Sequence, residues 1–290
     1  MDFIKNIFIA CRTHHYVKNL FIFLPVFFAF KIFETEALTD SLFAFIGFSF
    51  AASSIYILND VIDIKNDSLH PRKKFRPIAS KKISRKNALL FSSFLALISL
   101  IIGVSLNFSV LGLLVIYILI NILYSLILKN FAILDVFTIA SGFVIRLLVG
   151  SSASNVELTH WIIVLTFLLS LLLALSKRRD DLVNNHNEKT RESINGYNLN
   201  FINATINILA GMVILSYILW SISPDVIERL SSDKIYFSSI FVMTGIFRYL
   251  QCIYLHNDTG SPTQILIKDK FIQLSIIAWA VTLYSIFYLA

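Results

Sequence analysis

In residues 59–67, an amide and three carboxylates recur at a helical spacing directly after a long apolar run. They belong to Asn59, Asp60, Asp63 and Asp67. If this stretch is helical at 3.6 residues per turn, all four side chains fall within about 100° of the helix circumference. Carboxylates so close together repel one another unless a divalent cation that prefers oxygen ligands lies between them. The spacing therefore predicts a Mg²⁺ site formed by these four residues, because Mg²⁺ is usually bound by one or two carboxylates together with the phosphates of a substrate.

A basic cluster follows the acidic stretch in the same loop. Its members are Arg72, Lys73, Lys74 and Arg76. Guanidinium and ammonium groups form charge-assisted hydrogen bonds with phosphate oxygens, so this cluster predicts a phosphate clamp beside the metal. The two clusters together predict an enzyme that handles a diphosphate at a membrane surface.

The elements that position these residues are membrane-spanning helices. The chain is 57% apolar and 15% charged, with a mean hydropathy of +0.74, which is far from the average of a soluble domain. Apolar runs of about 17 to 25 residues recur along its length and predict an all-α, polytopic membrane protein with one membrane domain over residues 1–290. The nine predicted spans are 16–33, 41–59, 87–106, 108–128, 132–151, 160–176, 202–222, 235–255 and 271–289.

The basic residues are distributed unequally between the two sides of this predicted topology. Of the 25 Lys and Arg residues, 20 lie on the side of the N-terminus and 3 on the other. The positive-inside rule then places the N-terminus and the two longest loops, 60–86 and 177–200, in the cytoplasm. Membrane topology explains the net charge of +7, so nucleic-acid binding is not expected. Two distant cysteines exclude a disulfide framework, and the scattered histidines lack zinc-ligand spacing.

A second charged cluster follows the sixth predicted span. It contains Lys177, Arg178, Arg179 and Asp181. Basic residues at the end of a span can serve only to anchor the topology and to contact anionic lipid. Interleaved carboxylates are not needed for anchoring. Their presence favours the interpretation that this cluster forms a second half of the active site.

Several single basic residues are further candidates for phosphate binding. Arg146 and Arg248 lie inside predicted spans, where a charged side chain is costly unless it is paired or hydrated. We expect both to face a polar cavity, although Arg248 can instead extend towards the inner surface. Lys129, at the inner end of the fourth span, is either an interfacial anchor or a residue that lines the site. Lys18, near the start of the first span, is a further candidate.

These residues also carry a family resemblance. The pattern Asn59-Asp60-x-x-Asp63-x-x-x-Asp67, followed by Arg76-Pro77, resembles the first aspartate-rich motif of the UbiA prenyltransferase superfamily. Within that superfamily the chain is most similar to the decaprenyl-phosphate 5-phosphoribosyltransferases, and the likeness covers nearly the whole chain. The other matching fragments are Tyr16-Val17-Lys18-Asn19-Leu20, Leu128-Lys129-Asn130, Leu134-Asp135-Val136, Gly142-Phe143-x-x-Arg146, Leu175-x-Lys177-Arg178-Arg179-x-Asp181-Leu182 and Gly260-Ser261-Pro262-Thr263 with Asp269.

The chain departs from the family pattern at three points. Asp181 stands where these enzymes usually have Glu, and Tyr16 stands where Trp is common. The second motif is Lys-Arg-Arg-x-Asp, whereas the prenyl-diphosphate enzymes have Asp-x-x-x-Asp. An enzyme that joins two anions needs more fixed positive charge than one that ionises a single prenyl diphosphate, and Lys177, Arg178 and Arg179 supply that charge.

The resemblance implies a nine-helix bundle in the inner membrane of a bacterium, with the active site on the cytoplasmic side. The hypothesis is Mg²⁺-dependent transfer of 5-phosphoribose from phosphoribosyl diphosphate to a polyprenyl phosphate, with release of diphosphate. Asp63 and Asp67 act in catalysis with the metal, and Asp181 stabilises positive charge on the ribose. The lipid phosphate needs no general base, because the second pKa of such monoesters is about 6. The residues expected to position it are Lys18, Lys129, Arg146 and Lys177.

Two other functions are compatible with a polytopic protein that carries these clusters. One is a prenyltransferase that uses a polyprenyl diphosphate to alkylate an aromatic or glycerol-phosphate acceptor. The other is an anion transporter with the intramembrane arginines along its path. A transporter predicts functional charges near the bilayer midplane, whereas nearly all acidic residues here lie at the inner surface.

Overall fold

The computed structural model describes residues 2–71, 73–184, 192–230, 232–255, 265, 266 and 268–288. All regular structure within these ranges is helical, which confirms the predicted all-α class. The helices form two compact units, Met1–Leu158 and Thr159–Ala290. The assignment of one membrane domain to residues 1–290 stays a prediction.

Within the described residues, unit 1 contains the acidic stretch and seven α-helices. These are α1 (Asp2–Cys11), α2 (Leu24–Phe28), α3 (Thr35–Ile62), α4 (Ile64–Leu69), α5 (Arg85–Leu106), α6 (Phe108–Leu126) and α7 (Leu134–Ala153). Short 3₁₀ segments complete the unit at Thr13–Phe23, Lys73–Phe75 and Leu128–Asn130.

Unit 2 contains the second charged cluster and the remaining described helices. These are α8 (His160–Asn184), α9 (Leu199–Ser221), α10 (Pro224–Leu230), α11 (Ser239–Leu255) and α12 (Lys270–Tyr288). Two further 3₁₀ segments lie at Glu192–Gly196 and Lys234–Ser238.

Seven of the nine predicted spans correspond to helices that are long and apolar enough to cross a membrane. They are Thr35–Ile62, Arg85–Leu106, Phe108–Leu126, Leu134–Ala153, His160–Val183, Leu199–Ser221 and Lys234–Leu255. The ninth predicted span lies in α12, whose apolar part, Lys270–Ile286, is shorter. The count of nine equivalent spans is therefore not reproduced in the part of the chain that the structure describes.

The first predicted span, 16–33, is not a continuous α-helix. A 3₁₀ segment of 11 residues, Thr13–Phe23, leads into the five-residue α2. A 3₁₀ helix rises about 2.0 Å per residue, so this segment covers about 22 Å in spite of its few residues. Hydropathy detects an apolar run but not its backbone conformation, which is why the sequence predicted an ordinary span.

Close contacts fix this 3₁₀ segment against two helices. A Cβ atom added to Gly150 of α7 would lie 2.0 Å from the carbonyl oxygen of Ile22, so this position requires glycine. Asn19 donates a hydrogen bond to Ser49 Oγ of α3 (2.9 Å) and accepts one from Arg146 Nε of α7 (2.8 Å). The segment that includes Lys18 is thereby held in a fixed position within unit 1.

The outer faces of the spans are apolar, as expected for contact with lipid. On α5, Leu90, Leu97, Ile101 and Val104 recur at helical spacing and are all more than half exposed. The inner face of α3 instead carries small buried residues, and Ser54 of α3 contacts Ser92 of α5 (3.2 Å). Small residues at a helix interface allow close packing in a membrane.

Candidate active site

The acidic stretch spans the junction between α3 and α4. Asp63 has φ −88° and ψ 8°, and it separates the two helices. Hydrogen bonds of helical type are present on both sides, from Asp63 N to Asn59 O (2.9 Å) and from Asp67 N to Asp63 O (2.8 Å). Because α3 ends at Ile62 and α4 begins at Ile64, the expectation of one continuous helix from Asn59 to Asp67 is wrong. Asp60 belongs to the last turn of α3 and Asp67 belongs to α4.

Asp60 and Asp67 converge on one nitrogen atom. Arg76 Nη1 donates to Asp60 Oδ1 (3.0 Å) and to Asp67 Oδ2 (2.6 Å). Both carboxylates are buried, with side-chain exposures of 3% and 4%, whereas the side chain of Arg76 is 27% exposed. A buried carboxylate is costly unless it is paired, so the cation in this position stabilises both acids.

Arg12 is a further member of the cluster that the sequence reasoning missed. Its Nη2 donates to the same Asp60 Oδ1 that accepts from Arg76. The guanidinium lies over the ring of Tyr56, 4.9 Å from the centroid. The backbone of Arg12 is left-handed (φ 52°, ψ 49°) and separates α1 from the 3₁₀ segment. No local spacing predicts a contact between residues 48 positions apart.

Asp63 points to a different partner. Its Oδ1 accepts a hydrogen bond from Lys129 Nζ (2.6 Å), and both side chains are partly exposed. Among the described residues, no group of three or more His, Cys, Asp or Glu side chains is close enough to hold a metal together. The three predicted acidic ligands, Asp60, Asp63 and Asp67, are thus not gathered around one point, since Asp63 pairs with Lys129 while the other two pair with Arg76. The assignment of Asn59 as a metal ligand stays a prediction.

The pair formed by Asp60 and Asp67 nevertheless has the chemistry of a divalent-cation site. Its two carboxylates are buried, belong to adjacent helices and bind one cationic atom between them. Mg²⁺ needs only one or two protein carboxylates when substrate phosphates complete its octahedron. The residues present therefore fit a divalent cation that binds together with a phosphorylated substrate.

The other residues of the predicted phosphate clamp are Arg72, Lys73 and Lys74. Arg72 lies outside the described residues. Lys73 is half-buried, and its backbone N–H donates to His70 Nδ1 (3.3 Å). Lys74 is exposed and lies over the ring of Phe75, 5.3 Å from the centroid. Among the described members of the predicted clamp, Arg76 is joined to the acidic pair.

The structure places Arg146 among hydrogen-bond acceptors and aromatic rings, and its predicted role in phosphate binding stays a prediction. Arg146 is buried in unit 1, where Nη1 donates to Gly142 O (2.7 Å) and Nε donates to Asn19 Oδ1. Its guanidinium lies 4.6 Å from the ring centroid of Phe48 and 5.3 Å from that of Phe143. These contacts satisfy a buried cation with aromatic faces and carbonyl oxygens, so Arg146 stabilises the helix packing.

The second cluster lies near the end of α8 in unit 2. Arg178 has a side-chain exposure of 1%, and its Nη1 donates to Asp181 Oδ2 (3.0 Å), whose side chain is 22% exposed. Lys177 is exposed. Arg179 is buried and joins three helices, since Nε donates to Asn203 Oδ1 of α9 (2.8 Å) and Nη1 donates to Ile253 O of α11 (2.7 Å).

Arg248 is paired within the same unit. Its Nε and Nη2 both donate to Asp269 Oδ2, at 3.0 and 2.9 Å. These hydrogen bonds from Arg248 hold the pKa of the Asp269 carboxyl below its usual value. The predicted fragment Gly260–Thr263 lies outside the described residues. The ion pair with Asp269, at the start of α12, accounts for a charged residue in this span.

Comparison with known proteins shows what this chain is similar to. A family model described as the UbiA prenyltransferase family matches residues 20–266. A protein of Mycolicibacterium smegmatis named decaprenyl-phosphate phosphoribosyltransferase is 31% identical over 253 residues, which cover 84% of this chain and 79% of that protein. Proteins of the same name from Corynebacterium glutamicum and Mycobacterium tuberculosis are each 28% identical; the matches cover 93% and 94% of this chain and 83% and 91% of those proteins.

Solved structures share the fold. A UbiA homolog from Archaeoglobus fulgidus bound to GPP and Mg²⁺ superposes with a TM-score of 0.74 at 17% identity, over 97% of this chain and 99% of that one. A UbiA homolog from Aeropyrum pernix gives a TM-score of 0.68 at 16% identity, over 91% of this chain and 98% of that one.

Proposed function

The chain belongs to the UbiA prenyltransferase family and is a membrane-embedded transferase, and we propose that it transfers 5-phosphoribose from phosphoribosyl diphosphate to a polyprenyl phosphate. The names of the relatives that align over most of the chain support this reaction. The proposal depends mainly on the second cluster. There a buried Arg178 and a neighbouring Lys177 replace the second acidic motif of the prenyl-diphosphate enzymes, and cations suit a reaction that brings two anions together.

The donor is proposed to bind at the acidic pair in unit 1. Asp60 and Asp67 would hold Mg²⁺, which would supply positive charge to offset the negative charge of the leaving diphosphate. Lys129, held by Asp63 at 2.6 Å, and Arg76 bind phosphate oxygens beside the pair. Lys73 and Lys74 extend the positive charge of the same loop.

In unit 1 the acceptor phosphate is proposed to bind to the basic residues Lys18 and Lys129. Lys177 and Arg178 of unit 2 stay predicted phosphate-binding residues. In the reaction the bond between the ribose anomeric carbon and the diphosphate oxygen breaks, and a lipid phosphate oxygen forms the new bond. No proton has to be removed, because the attacking phosphate is already anionic near neutral pH. The role of Asp181 in stabilising positive charge on the ribose stays a prediction. The site is proposed to lie on the cytoplasmic side of the inner membrane.

The direct test uses purified protein, labelled phosphoribosyl diphosphate and polyprenyl phosphate. We expect a labelled lipid whose mass equals the polyprenyl phosphate plus one phosphoribosyl group, and we expect a strong chelator to abolish its formation. A protein that gives no such lipid, but alkylates an aromatic or glycerol-phosphate acceptor with a polyprenyl diphosphate, would be a prenyltransferase. Full activity in the presence of the chelator would contradict the metal site.

The Asp63→Ala variant tests the role of the helix junction. It removes the carboxylate that holds Lys129, so we expect loss of transfer while the protein remains inserted in the membrane. The matched control is Asp40→Ala, which removes a carboxylate from the start of α3, far along the helix from the cluster. Retained transfer in Asp63→Ala would show that Asp63 is not needed for catalysis.

A further inference from the structure

The acidic pair and its two arginines form a closed, electrically neutral set, which we call the charge quartet: Arg12, Asp60, Asp67 and Arg76. Asp60 Oδ1 accepts from both guanidiniums, and Arg76 Nη1 donates to both carboxylates. Two positive and two negative charges thus balance inside unit 1 without any added ion. The atom at the centre of the quartet is Arg76 Nη1.

This nitrogen occupies the position that a metal between the two carboxylates would need. It lies 3.0 and 2.6 Å from the two oxygens, whereas Mg²⁺ binds carboxylate oxygens at about 2.0–2.1 Å. A cation placed between these same two oxygens would need the space of Arg76 Nη1, so the cation and the guanidinium compete for this position.

The two arginines differ in how firmly they are held. Arg12 lies over the ring of Tyr56 and contacts one acid, so it can stay with Asp60 when the pair changes partner. Arg76 follows a 3₁₀ segment in a loop and is the more exposed of the two, at 27% against 18%. It binds the acids through Nη1 alone, and its Nη2 and Nε donate to no group among the described residues.

On these grounds, and resting on the metal site of the proposed function, we propose that Arg76 is a resident counter-ion that the divalent cation displaces from Asp60 and Asp67. The released guanidinium then binds a phosphate of the substrate through its planar fork of N–H groups. In the absence of metal it neutralises two buried carboxylates that would otherwise repel each other. Metal binding and phosphate capture are thereby coupled through one side chain, and such coupling acts in both directions.

The test measures Mn²⁺ binding to the purified full chain without substrate, from the electron paramagnetic resonance signal of free Mn²⁺. In Arg76→Gln the metal no longer competes with a guanidinium, so the Kd for Mn²⁺ should fall about tenfold or more, while transfer activity falls because the phosphate contact is lost. An unchanged or higher Kd would overturn the proposal.

Two variants control for net charge. Lys82→Gln removes one positive charge from an exposed position of the same loop and should leave the Kd for Mn²⁺ within twofold of the native value. Arg12→Gln removes a charge that contacts Asp60 from outside the pair, so its effect should be smaller than that of Arg76→Gln. If Arg12→Gln tightens Mn²⁺ binding equally, charge alone is responsible and the proposal fails.

If Arg76→Gln folds poorly, a second variant still tests the proposal. Arg76→Lys keeps the charge but provides a compact ammonium group in place of the guanidinium, and it should give an intermediate Kd. The rise in Tm caused by Mn²⁺ should be larger in Arg76→Lys than in the native protein, and an equal or smaller rise contradicts the displacement. These readouts need no turnover. If the native protein makes no phosphoribosyl lipid but Arg76→Gln still binds Mn²⁺ more tightly, the proposed function fails and the counter-ion role stands.

Discussion

The two charged clusters are built in opposite ways. In unit 1 the acids are buried, at 3% and 4% side-chain exposure, and their partner Arg76 is 27% exposed. In unit 2 the cation Arg178 is buried, at 1% exposure, and its partner Asp181 is 22% exposed. A buried ion cannot be satisfied by water, whereas its exposed partner can be exchanged for a ligand of the same sign at a lower cost. The first cluster is therefore suited to accept a cation, and the second to accept an anion.

In sequence the two regions resemble each other, because both are loops of mixed acidic and basic residues. Burial separates them, since it decides which member of each ion pair is fixed. The predictions that follow test the buried acid of unit 1, a buried cation and a partly exposed acid of unit 2, and an ion pair outside both clusters.

The largest expected effect comes from removing a buried acid of unit 1. Asp60→Asn should lower transfer by at least about 100-fold, which is typical for the loss of one electrostatic contact to the reacting charge, and should abolish Mn²⁺ binding. The control is Glu36→Gln, which removes a carboxylate from the exposed first turn of α3. Retained Mn²⁺ binding in Asp60→Asn would show that this pair does not hold the metal.

Removing Arg179, the buried cation that joins three helices of unit 2, should lower the stability of the protein. Arg179→Met leaves Asn203 Oδ1 and the carbonyl of Ile253 without their donor, so we expect a loss of about 2–3 kcal/mol in the free energy of unfolding. The KM for phosphoribosyl diphosphate should stay near its native value in the folded fraction. A large rise in KM with unchanged thermal stability would instead place Arg179 at the substrate.

Removing the partly exposed acid of the second cluster should have a mixed effect. Asp181→Asn leaves Arg178 buried with a weaker partner, and because Asp181 is partly solvated we expect a loss of about 1–2 kcal/mol in stability together with slower transfer. Asp181→Glu keeps the charge and should retain most of both properties. If the glutamate variant is as impaired as the asparagine variant, the geometry of Asp181 matters more than its charge.

The smallest expected effect concerns the pair of Arg248 and Asp269. The pKa of Asp269 in the folded protein lies below that of the unfolded chain, so its contribution to stability is present above the ordinary carboxyl pKa of about 3.9. That contribution is lost as the pH falls through the lowered pKa. Thermal unfolding of Asp269→Asn between pH 3 and pH 6, compared with the native protein, should show a slightly weaker dependence on pH in this acidic range. Identical profiles would show that the pair contributes nothing to stability.

The sequence alone determined the class of the protein and most of its spans. Hydropathy is a sum over neighbouring residues, so apolar runs such as 108–128 predict a spanning helix without knowledge of its packing. The acidic motif and the basic second motif are also local patterns, and they pointed to the UbiA family and to a reaction between two anions. The prediction was inaccurate where backbone conformation decided the outcome, as in the 3₁₀ segment Thr13–Phe23 and at the helix break of Asp63.

Only the tertiary structure decided which charges meet. Arg12 contacts Asp60 across 48 positions of sequence, and Lys129 contacts Asp63 across 66. The guanidinium of Arg146 lies beside aromatic rings, and Arg76 Nη1 lies between two buried carboxylates. The period of a helix gives the direction of a side chain about its own axis, but it contains no information on which neighbouring helix is placed opposite. Pairing and burial depend on that placement, and they turned two similar charged loops into one cluster with buried acids and one with buried cations.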